Sequence, residues 1–164
     1  DEKGAKHYPL ILHCSPSGAI ERCVYALLEK AYKEQQSGKP PMLPLWLSPT
    51  QVRIIPISDK YFEHCQKLAD TIEARCIRVD IDDRTLTLQK RVREAEMEWV
   101  PYIIVVGQKE MKSGVLPVRD RKIGKIRRLK PEELISEIKK AIGDKPFKPL
   151  PLPKHLSKRP QFYG

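Results

Sequence analysis

The residues of this sequence best suited to chemistry are basic, and they cluster between positions 119 and 130. This stretch holds one acid, Asp120. Guanidinium and ammonium groups at this density displace counterions from phosphates, so the stretch is a candidate contact for a nucleic-acid backbone. A solvated surface loop is the alternative, because runs of charge usually face water. The seven basic residues are Arg119, Arg121, Lys122, Lys125, Arg127, Arg128 and Lys130.

The region after position 50 shows no catalytic constellation. Glu94, Glu96 and Glu98 fall in one predicted helix, but their two-residue spacing prevents them from sharing a helix face as an acid-base pair. The sequence contains no Gly-rich phosphate loop, no nucleophile elbow and no Cys-His pair at a usable spacing. These residues therefore favour binding over catalysis.

The composition predicts one folded domain with an anionic partner. The chain has 164 residues, and its 31 Lys and Arg against 21 Asp and Glu give a net charge of +10. Hydrophobic residues make up 40% of the chain, which is enough for a core. The longest apolar run, residues 99–106, contains a proline and is too short to span a membrane. The first residues are acidic and unlike a secretion signal, so we expect a cytoplasmic location and no membrane partner.

The four cysteines show none of the short Cys-x-x-Cys spacing that zinc knuckles and redox motifs use. They are Cys14, Cys23, Cys65 and Cys76, and each lies among apolar or helical neighbours. We expect reduced thiols packed in a core rather than disulfides.

Composition divides the chain into four segments. Residues 1–37 are predicted to hold a short buried strand at 9–13 and a helix that Ser17 caps, with one apolar face. A strand and one helix cannot close a core, so this segment must pack on the rest of the chain or on a larger body. Residues 38–50 are a proline-rich linker, and residues 144–164 are a basic, proline-rich tail that is extended or wraps a surface. The apolar face of the helix comprises Ile20, Val24, Leu27, Leu28 and Ala31.

Residues 51–143 alternate between strand and helix patterns. Strands are predicted at 52–57, 77–81, 102–106 and 115–118, with helices from Ser58 or Asp59, at 86–98 and from Pro131 to the residue before Gly143. Residues 107–114 are predicted to be a turn into an antiparallel return, and Pro56 is predicted to restrict its strand to an edge or irregular place. The pattern predicts an α/β fold with a mixed, mostly parallel sheet flanked by helices.

Several segments together resemble the threonyl-tRNA synthetase family. Residues 18–22, Gly-Ala-Ile-Glu-Arg, resemble motif 3 of class II aminoacyl-tRNA synthetases, and residues 45–52 resemble the start of the anticodon-binding domain. Trp46 before Leu-Ser-Pro is more typical of threonyl than of prolyl enzymes, and the tail and the insertion before Gly18 resemble the archaeal branch. Further matches in the family's order are Arg93, Glu94, Val100, Tyr102, Gly107, Glu110, Ser113, Gly114, Val118 and Arg119.

The resemblance implies the C-terminal part of a class II ligase. Residues 1–37 would be the end of an antiparallel catalytic domain, and residues 51–143 would be the anticodon-binding domain. Arg22 matches the motif 3 arginine that contacts ATP phosphate during activation. His13 matches a histidine ligand of the catalytic Zn²⁺, whose other ligands would lie upstream. We expect ATP with Mg²⁺ and Zn²⁺ in the complete enzyme, no tight binding of either to these residues alone, and an inactive fragment.

The same resemblance implies contacts with threonine tRNA. Glu110 and Arg119 match positions that read anticodon bases, whereas Thr85 stands where bacterial members have an asparagine, with Arg84 beside it. The implied backbone contacts are Arg121, Lys122, Lys125, Arg127 and Arg128. The complete enzyme is expected to have an upstream catalytic domain and to be a homodimer.

A second hypothesis is a free-standing accessory protein that reuses the anticodon-binding fold for RNA contacts. His13, Glu21 and Arg22 favour the ligase, because an accessory module has no need of catalytic residues. A prolyl enzyme is disfavoured by Trp46.

Overall fold

The computed structural model describes residues 2–16 and 18–160. Five strands and five helices occur in the described part of the chain, with a 3₁₀ turn before the second helix and another in the tail. In chain order they are α1 (Ile20–Gln36), β1 (Val52–Pro56), a 3₁₀ turn (Asp59–Tyr61), α2 (Phe62–Glu73), β2 (Val79–Ile81), α3 (Leu88–Met97), β3 (Tyr102–Val106), α4 (Gln108–Ser113), β4 (Leu116–Asp120), β5 (Lys125–Leu129), α5 (Pro131–Ile142) and a 3₁₀ turn (Leu156–Lys158).

The strands form one mixed sheet in the order β2-β1-β3-β4-β5. The first three strands are parallel, and β4 and β5 form an antiparallel hairpin beside β3. The predicted fold class is confirmed. The basic run was expected between a strand and a helix, but it forms the β4–β5 hairpin, with β5 as an edge strand.

Helices cover the two faces of the sheet unequally. On one face α2 and α5 pack against alternate residues of every strand, including Val52, Ile104 and Val118. On the other face α3 covers only a smaller cluster that contains Ile55 and Ile103. Alternate residues of β4 and β5 face the same side of the sheet as α3. The cluster that α3 covers includes no residue of these two strands, so this part of the face has no helix over it.

Local sequence explains the ends of the helices near the sheet. The Thr87 hydroxyl accepts a hydrogen bond from the Lys90 N–H at the start of α3. Pro131 lies in the first turn of α5, where a backbone N–H has no partner within the helix, so proline sacrifices no hydrogen bond there. The Lys130 N–H donates to the Glu133 carboxylate (2.7 Å). Residues 107–114 were predicted to be a turn, but they contain α4, which ends at Gly114 in the left-handed conformation (φ 66°).

Of the two places predicted for the strand of Pro56, an edge or an irregular part of the ladder, the edge is excluded, because β1 lies between β2 and β3. The Val52 N–H and the Ile54 carbonyl both bond toward β2, so Pro56 faces the same side by alternation. β2 ends at Ile81, which pairs with Ile54. The missing N–H of Pro56 therefore faces a position beyond the end of β2.

The predicted strand at residues 9–13 is absent, since these residues are exposed and have no strand partner within the described part of the chain. The expected cap, Ser17, lies outside the described residues, and α1 begins after Ala19. The apolar face of α1 is buried only at Ala31, whereas Ile20, Val24 and Leu28 are exposed. Among the described residues of the helix, those that pack on the domain lie in its C-terminal half.

The expectation of core cysteines holds for Cys65 only, because Cys14, Cys23 and Cys76 are exposed. All four thiols are free of disulfides. Cys14 and Cys23 lie on the N-terminal segment, which has little of the chain packed on it, and Cys76 follows α2 with a positive φ of 57°. Among the described residues, no helix is long and apolar enough to cross a membrane.

The tail wraps the free edge of β2. The Ile81 N–H donates to the Lys154 carbonyl (2.9 Å), and His155 forms a parallel bridge with Ile81. Leu156 is buried, and the His155 ring packs edge-on against Phe62 of α2. We call residues 153–159 the strap.

Candidate nucleic-acid interface

The side of the β4–β5 hairpin that α3 leaves uncovered presents two arginines. Arg119 pairs with Ile126, and Pro117 pairs with Arg128, so these four side chains share one side of the sheet. Ile126 is 58% exposed, and both arginines are exposed. We call these four residues the open face. It combines two cationic groups with exposed apolar surface, and the cationic groups are of the kind that contact a nucleic-acid backbone.

Arg119 is held loosely at this face. Its guanidinium donates to the Glu96 carboxylate of α3 at 3.1 Å, and both side chains are nearly half exposed (45% and 44%). An ion pair this exposed contributes at most about 1 kcal/mol. The guanidinium can therefore exchange Glu96 for a ligand at small cost.

A groove of about 770 Å³ runs from Arg119 toward the linker. Its walls come from the end of α1, the linker, the end of α3 and β4. Lys39 and Arg93 add positive charge, and Trp99 offers a ring. A cationic groove with an aromatic side chain is the arrangement on which bases stack.

Tyr102 is buried in the core, whereas Trp99 is not. Trp99 is half-buried because the backbone turns at positive φ (58°) between α3 and the strand that follows. One feature of the sequence could have indicated this exposure. Trp99 stands between the last residue of the predicted helix and the apolar strand, where the chain has to reverse its direction. Arg93 likewise appeared only as a match to the family and not as a groove residue.

The basic residues of the hairpin divide into two groups. Lys122, Lys125 and Arg128 are exposed. Arg121 is half-buried, and it donates to the Pro41 carbonyl and to the Glu96 carbonyl (both 2.8 Å). Burial lowers the pKa of Arg121, although the charge of Glu96 opposes that effect. In this arrangement Arg121 fastens the linker to the sheet.

Arg127 points to the opposite face from Arg119 and belongs to a polar cluster under α5. Its guanidinium donates to Asp120 (2.5 Å) and to both oxygens of Glu137 (2.7 and 2.9 Å). The Tyr102 hydroxyl donates to Glu137 as well (3.1 Å). The hydrogen bonds from Arg127 hold the pKa of Glu137 below its ordinary value, against the effect of burial. The geometry gives Arg127 a structural task.

The structure places Glu110 and Arg119 toward opposite ends of β3. Arg119 pairs with Ile103, the second residue of β3, whereas Glu110 lies on α4 after the strand has ended. Ile103 and Gly107 are four residues apart, which corresponds to roughly 13 Å along a strand. Glu110 uses one carboxylate oxygen to accept from the Gly107 N–H (2.9 Å). Within the described residues no hydrogen bond is given to the other oxygen, which can accept one from a ligand.

Arg84 and Thr85 lie in the loop between β2 and α3, residues 82–87. The Arg84 guanidinium donates to both oxygens of Asp82 (2.9 and 2.7 Å) and pairs with Glu94 (2.8 Å). Hydrogen bonding to Asp82 raises the pKa of Arg84 above its usual range. The Thr85 side chain is exposed. Arg84 therefore orders the loop, and Thr85 is presented at its tip.

His13 and Arg22 form no complete site with the residues described here. Both are exposed, and no group of three or more His, Cys, Asp or Glu side chains within residues 2–16 and 18–160 is arranged to hold a metal ion. A single histidine does not meet the four-coordinate preference of Zn²⁺. The guanidinium of Arg22 lies against Gly18.

A mixed sheet flanked by helices, with a basic open face beside a groove, defines this chain as an α/β domain with a cationic surface. The model of the family described as "Anticodon binding domain" matches residues 51–141, more than half of the chain. The chain therefore belongs to the anticodon-binding-domain family.

Curated relatives agree with the resemblance noted in the sequence. The chain is 57% identical over its whole length to the threonine–tRNA ligase of Pyrococcus horikoshii, and 50% identical over 98% of its length to that of Nitrosopumilus maritimus. It spans 26% of the length of each relative, about a quarter.

A solved structure shows the same fold. The crystal structure of the RNA binding domain of threonyl-tRNA synthetase from Cryptosporidium parvum Iowa II matches with a TM-score of 0.57 and 25% sequence identity. The match covers 69% of this chain and 27% of that chain.

Proposed function

We propose that this chain is the anticodon-reading part of a threonine–tRNA ligase and that it binds the anticodon loop of threonine tRNA at the open face and the adjoining groove. The observation that carries the proposal is Arg119, exposed on a rigid strand and paired only weakly with Glu96, at the mouth of a cationic groove. The family match and the threonine–tRNA ligase relatives support the same function.

Arg119 has the geometry to read a base. Threonine anticodons share a central guanine followed by uracil, and a guanidinium fork fits the two acceptor atoms of guanine. Because Arg119 lies on a strand, ordering its side chain costs less entropy than ordering a loop residue. Arg119 is therefore the proposed reader of the central guanine.

Glu110 serves a different nucleotide. The separation of roughly 13 Å along β3 exceeds the width of one base, so Glu110 and Arg119 contact different positions of a splayed loop. The carboxylate accepts from a base N–H, a donor that a phosphate does not offer. Thr85, at the tip of the β2–α3 loop, offers a hydroxyl to the same loop of RNA, while Arg84 holds that tip in place.

Phosphate contacts come from the exposed basic residues of the hairpin. Arg128 lies on the open face, and Lys122 and Lys125 are exposed near the turn of the hairpin, so we assign the backbone contacts to these three residues. Arg121 and Arg127 contribute to the positive potential while their guanidinium groups hold the linker and α5. Arg119 and the proposed backbone-binding groups thus lie on one hairpin, whereas Glu110 and Thr85 lie outside it.

The relatives extend the proposal to a complete enzyme. The proposed complete protein has an upstream catalytic domain, uses ATP with Mg²⁺ and Zn²⁺ to activate threonine, and works in the cytoplasm as a homodimer. Arg22 and His13 would join sites that the upstream domain completes. The exposed apolar side chains of α1 support such a domain, because a helix with this much uncovered apolar surface needs a partner. These side chains are Ile20, Val24, Tyr25, Leu28 and Tyr32.

The test is a titration with two stem-loop RNAs. One carries a threonine anticodon, and the other carries the same loop with the central guanine replaced by adenine. We expect Arg119→Ala to weaken binding of the first by about 1–3 kcal/mol and to have little effect on the second. Arg75→Ala, which removes an exposed arginine after α2, is the matched control. Equal losses for both RNAs would make Arg119 a phosphate contact.

A further inference from the structure

Specific side-chain contacts fix the strap to the rest of the domain. The proline-rich composition of the tail does not by itself predict such contacts. Lys154 pairs with Asp70 (2.8 Å) and with Glu73 of α2, and an imidazole nitrogen of His155 lies 2.8 Å from the Gln66 side-chain oxygen. The Arg159 guanidinium donates to the Pro153 carbonyl (2.9 Å), which closes the strap on itself. The strap is therefore an ordered element with its own anchor on α2.

The strap also binds the β2–α3 loop. The Ser157 N–H and hydroxyl donate to the two oxygens of Asp83 (2.9 and 2.6 Å). Burial alone raises the pKa of Asp83, but the hydrogen bonds from Ser157 outweigh burial and hold the pKa below its ordinary value. Asp83 is therefore a carboxylate engaged at both oxygens, and it lies two residues before Thr85.

A second contact reaches the base of the same loop. The Arg159 guanidinium donates to Asp80 (2.8 Å), a buried carboxylate on β2 that also accepts from Thr50 and Arg53. From within the loop, Asp82 is held by Arg84 and its carbonyl accepts from Arg91 (3.0 Å). The position of the loop thus depends on strap contacts at Asp80 and Asp83 and on its own contacts at Asp82.

We infer that the strap is a positioning element for residues 82–87 and that Ser157 and Arg159 thereby set how well the domain discriminates between anticodons. The Ser157 hydroxyl and the Arg159 guanidinium are directed to Asp83 and Asp80. Their hydrogen bonds to Asp83 and Asp80 fix the position of Thr85 indirectly. The RNA part of the inference rests on the proposed function, whereas the control of the loop by the strap does not.

The experiment compares a Ser157→Ala/Arg159→Met double variant with Lys148→Met. Lys148→Met removes the same single charge from an exposed residue of the tail outside the strap. Each protein is titrated with the threonine stem-loop and with a stem-loop whose first and third anticodon bases are changed while the central guanine assigned to Arg119 is kept, and amide hydrogen exchange is followed at residues 82–86. Thermal unfolding confirms that each variant is folded at the temperature used.

We expect the double variant to lower the ratio of the two dissociation constants roughly fivefold, the equivalent of one net hydrogen bond, and to speed exchange at residues 82–86 but not in β1 and β3. Lys148→Met should change neither. An unchanged ratio in a folded double variant overturns the inference, and so does an equal effect of Lys148→Met. Failure of the unmodified protein to bind either RNA would overturn the proposed function, and the exchange data would still decide whether the strap orders the loop.

Discussion

Arg53 and Asp80 face each other across β1 and β2 and form a fully buried, two-pronged ion pair. The Arg53 guanidinium donates to the two Asp80 oxygens at 2.8 and 2.9 Å, and both side chains are 0% exposed. A third hydrogen bond from Arg53 reaches Glu98 after α3 (2.7 Å), and Asp80 also accepts from Arg159 of the strap. The pair therefore joins the two strands, α3 and the tail.

The buried pair predicts a large loss of stability when one partner is removed. Burial lowers the pKa of Arg53, but the hydrogen bonds and charge of Asp80 and Glu98 outweigh burial, so the pKa lies above its usual range and the arginine stays charged. Asp80→Ala leaves that charge without its main partner. We expect a decrease of about 3–5 kcal/mol in the free energy of unfolding by urea. Glu63→Ala, which removes an exposed carboxylate on α2, should change it by about 0.5 kcal/mol or less. A loss below about 1 kcal/mol for Asp80→Ala would contradict this account.

Arg53 also shows why part of the fold could be predicted and part could not. The alternation of strand and helix patterns after residue 50 predicted the mixed sheet. Apolar residues at every second position indicate a strand and those three and four apart indicate a helix, and both patterns are local features of the sequence. Arg53 lies in one of those apolar runs, and no local pattern pairs it with Asp80, 27 residues away. Contacts between distant polar residues depend on strand order, which the pattern leaves open.

The candidate site divides in the same way. The density of basic residues identified the segment that forms the hairpin. The alternation of β5 decides which of its arginines face α5 and which face solvent, and no strand was predicted at the position of β5. The resemblance to a family supplied Glu110 and Arg119, and the register of β3 and β4 then separated them. The tail was expected to be extended or to wrap a surface. Its bonds to Asp80 and Asp83 could not be inferred, because prolines and charges indicate no partner.

The cysteines should differ in reactivity by burial. Burial raises the pKa of the Cys65 thiol to about 12, so it carries little thiolate at pH 8. Cys14, Cys23 and Cys76 are exposed. In a time course with a maleimide followed by mass spectrometry, we expect three rapid additions and a fourth only when the protein unfolds. Rapid labelling of Cys65 in the folded chain would show that α2 opens readily. Cys65→Ser serves as the control, since it should leave the three rapid additions unchanged.

The Glu137 cluster predicts a dependence of stability on acid. Because hydrogen bonds from Arg127 depress the pKa of Glu137 in the folded state, its stabilising effect is complete above the ordinary value of 4.5. The effect is lost as pH falls from there through the lower folded-state pKa. Glu137→Gln should therefore be less stable than the unmodified protein at pH 7, and the difference should shrink below about pH 4.5. Urea unfolding across this range measures the difference. Glu132→Gln, an exposed change on the same helix, should show a smaller dependence on pH.

The two neighbouring arginines of β5 should give opposite results. Arg128 is exposed on the open face, so Arg128→Ala should lower the dependence of RNA binding on salt by about one unit of slope and leave stability unchanged. Arg127→Ala leaves Asp120 and Glu137 without their shared partner, so it should lower the unfolding temperature. Titrations of the stem-loop at several salt concentrations, with thermal unfolding of each variant, separate the two effects. If Arg128→Ala keeps the salt dependence of the unmodified protein, Arg128 does not contact the RNA backbone.

Trp99 should report directly on occupancy of the groove. The chain has two tryptophans, and Trp46 lies in the linker with the Lys145 ammonium 6.0 Å from its ring centre. In a Trp46→Phe background Trp99 is the only source of tryptophan fluorescence. A base that stacks on the ring quenches that fluorescence, and we expect quenching that saturates with added stem-loop RNA. Removal of the ring by Trp99→Ala should weaken binding by about 1–3 kcal/mol, because stacking of a base contributes that much. Trp99→Phe keeps an aromatic face and should recover most of the affinity. Binding without quenching, together with full affinity of Trp99→Ala, would show that the RNA occupies the open face and leaves the groove vacant.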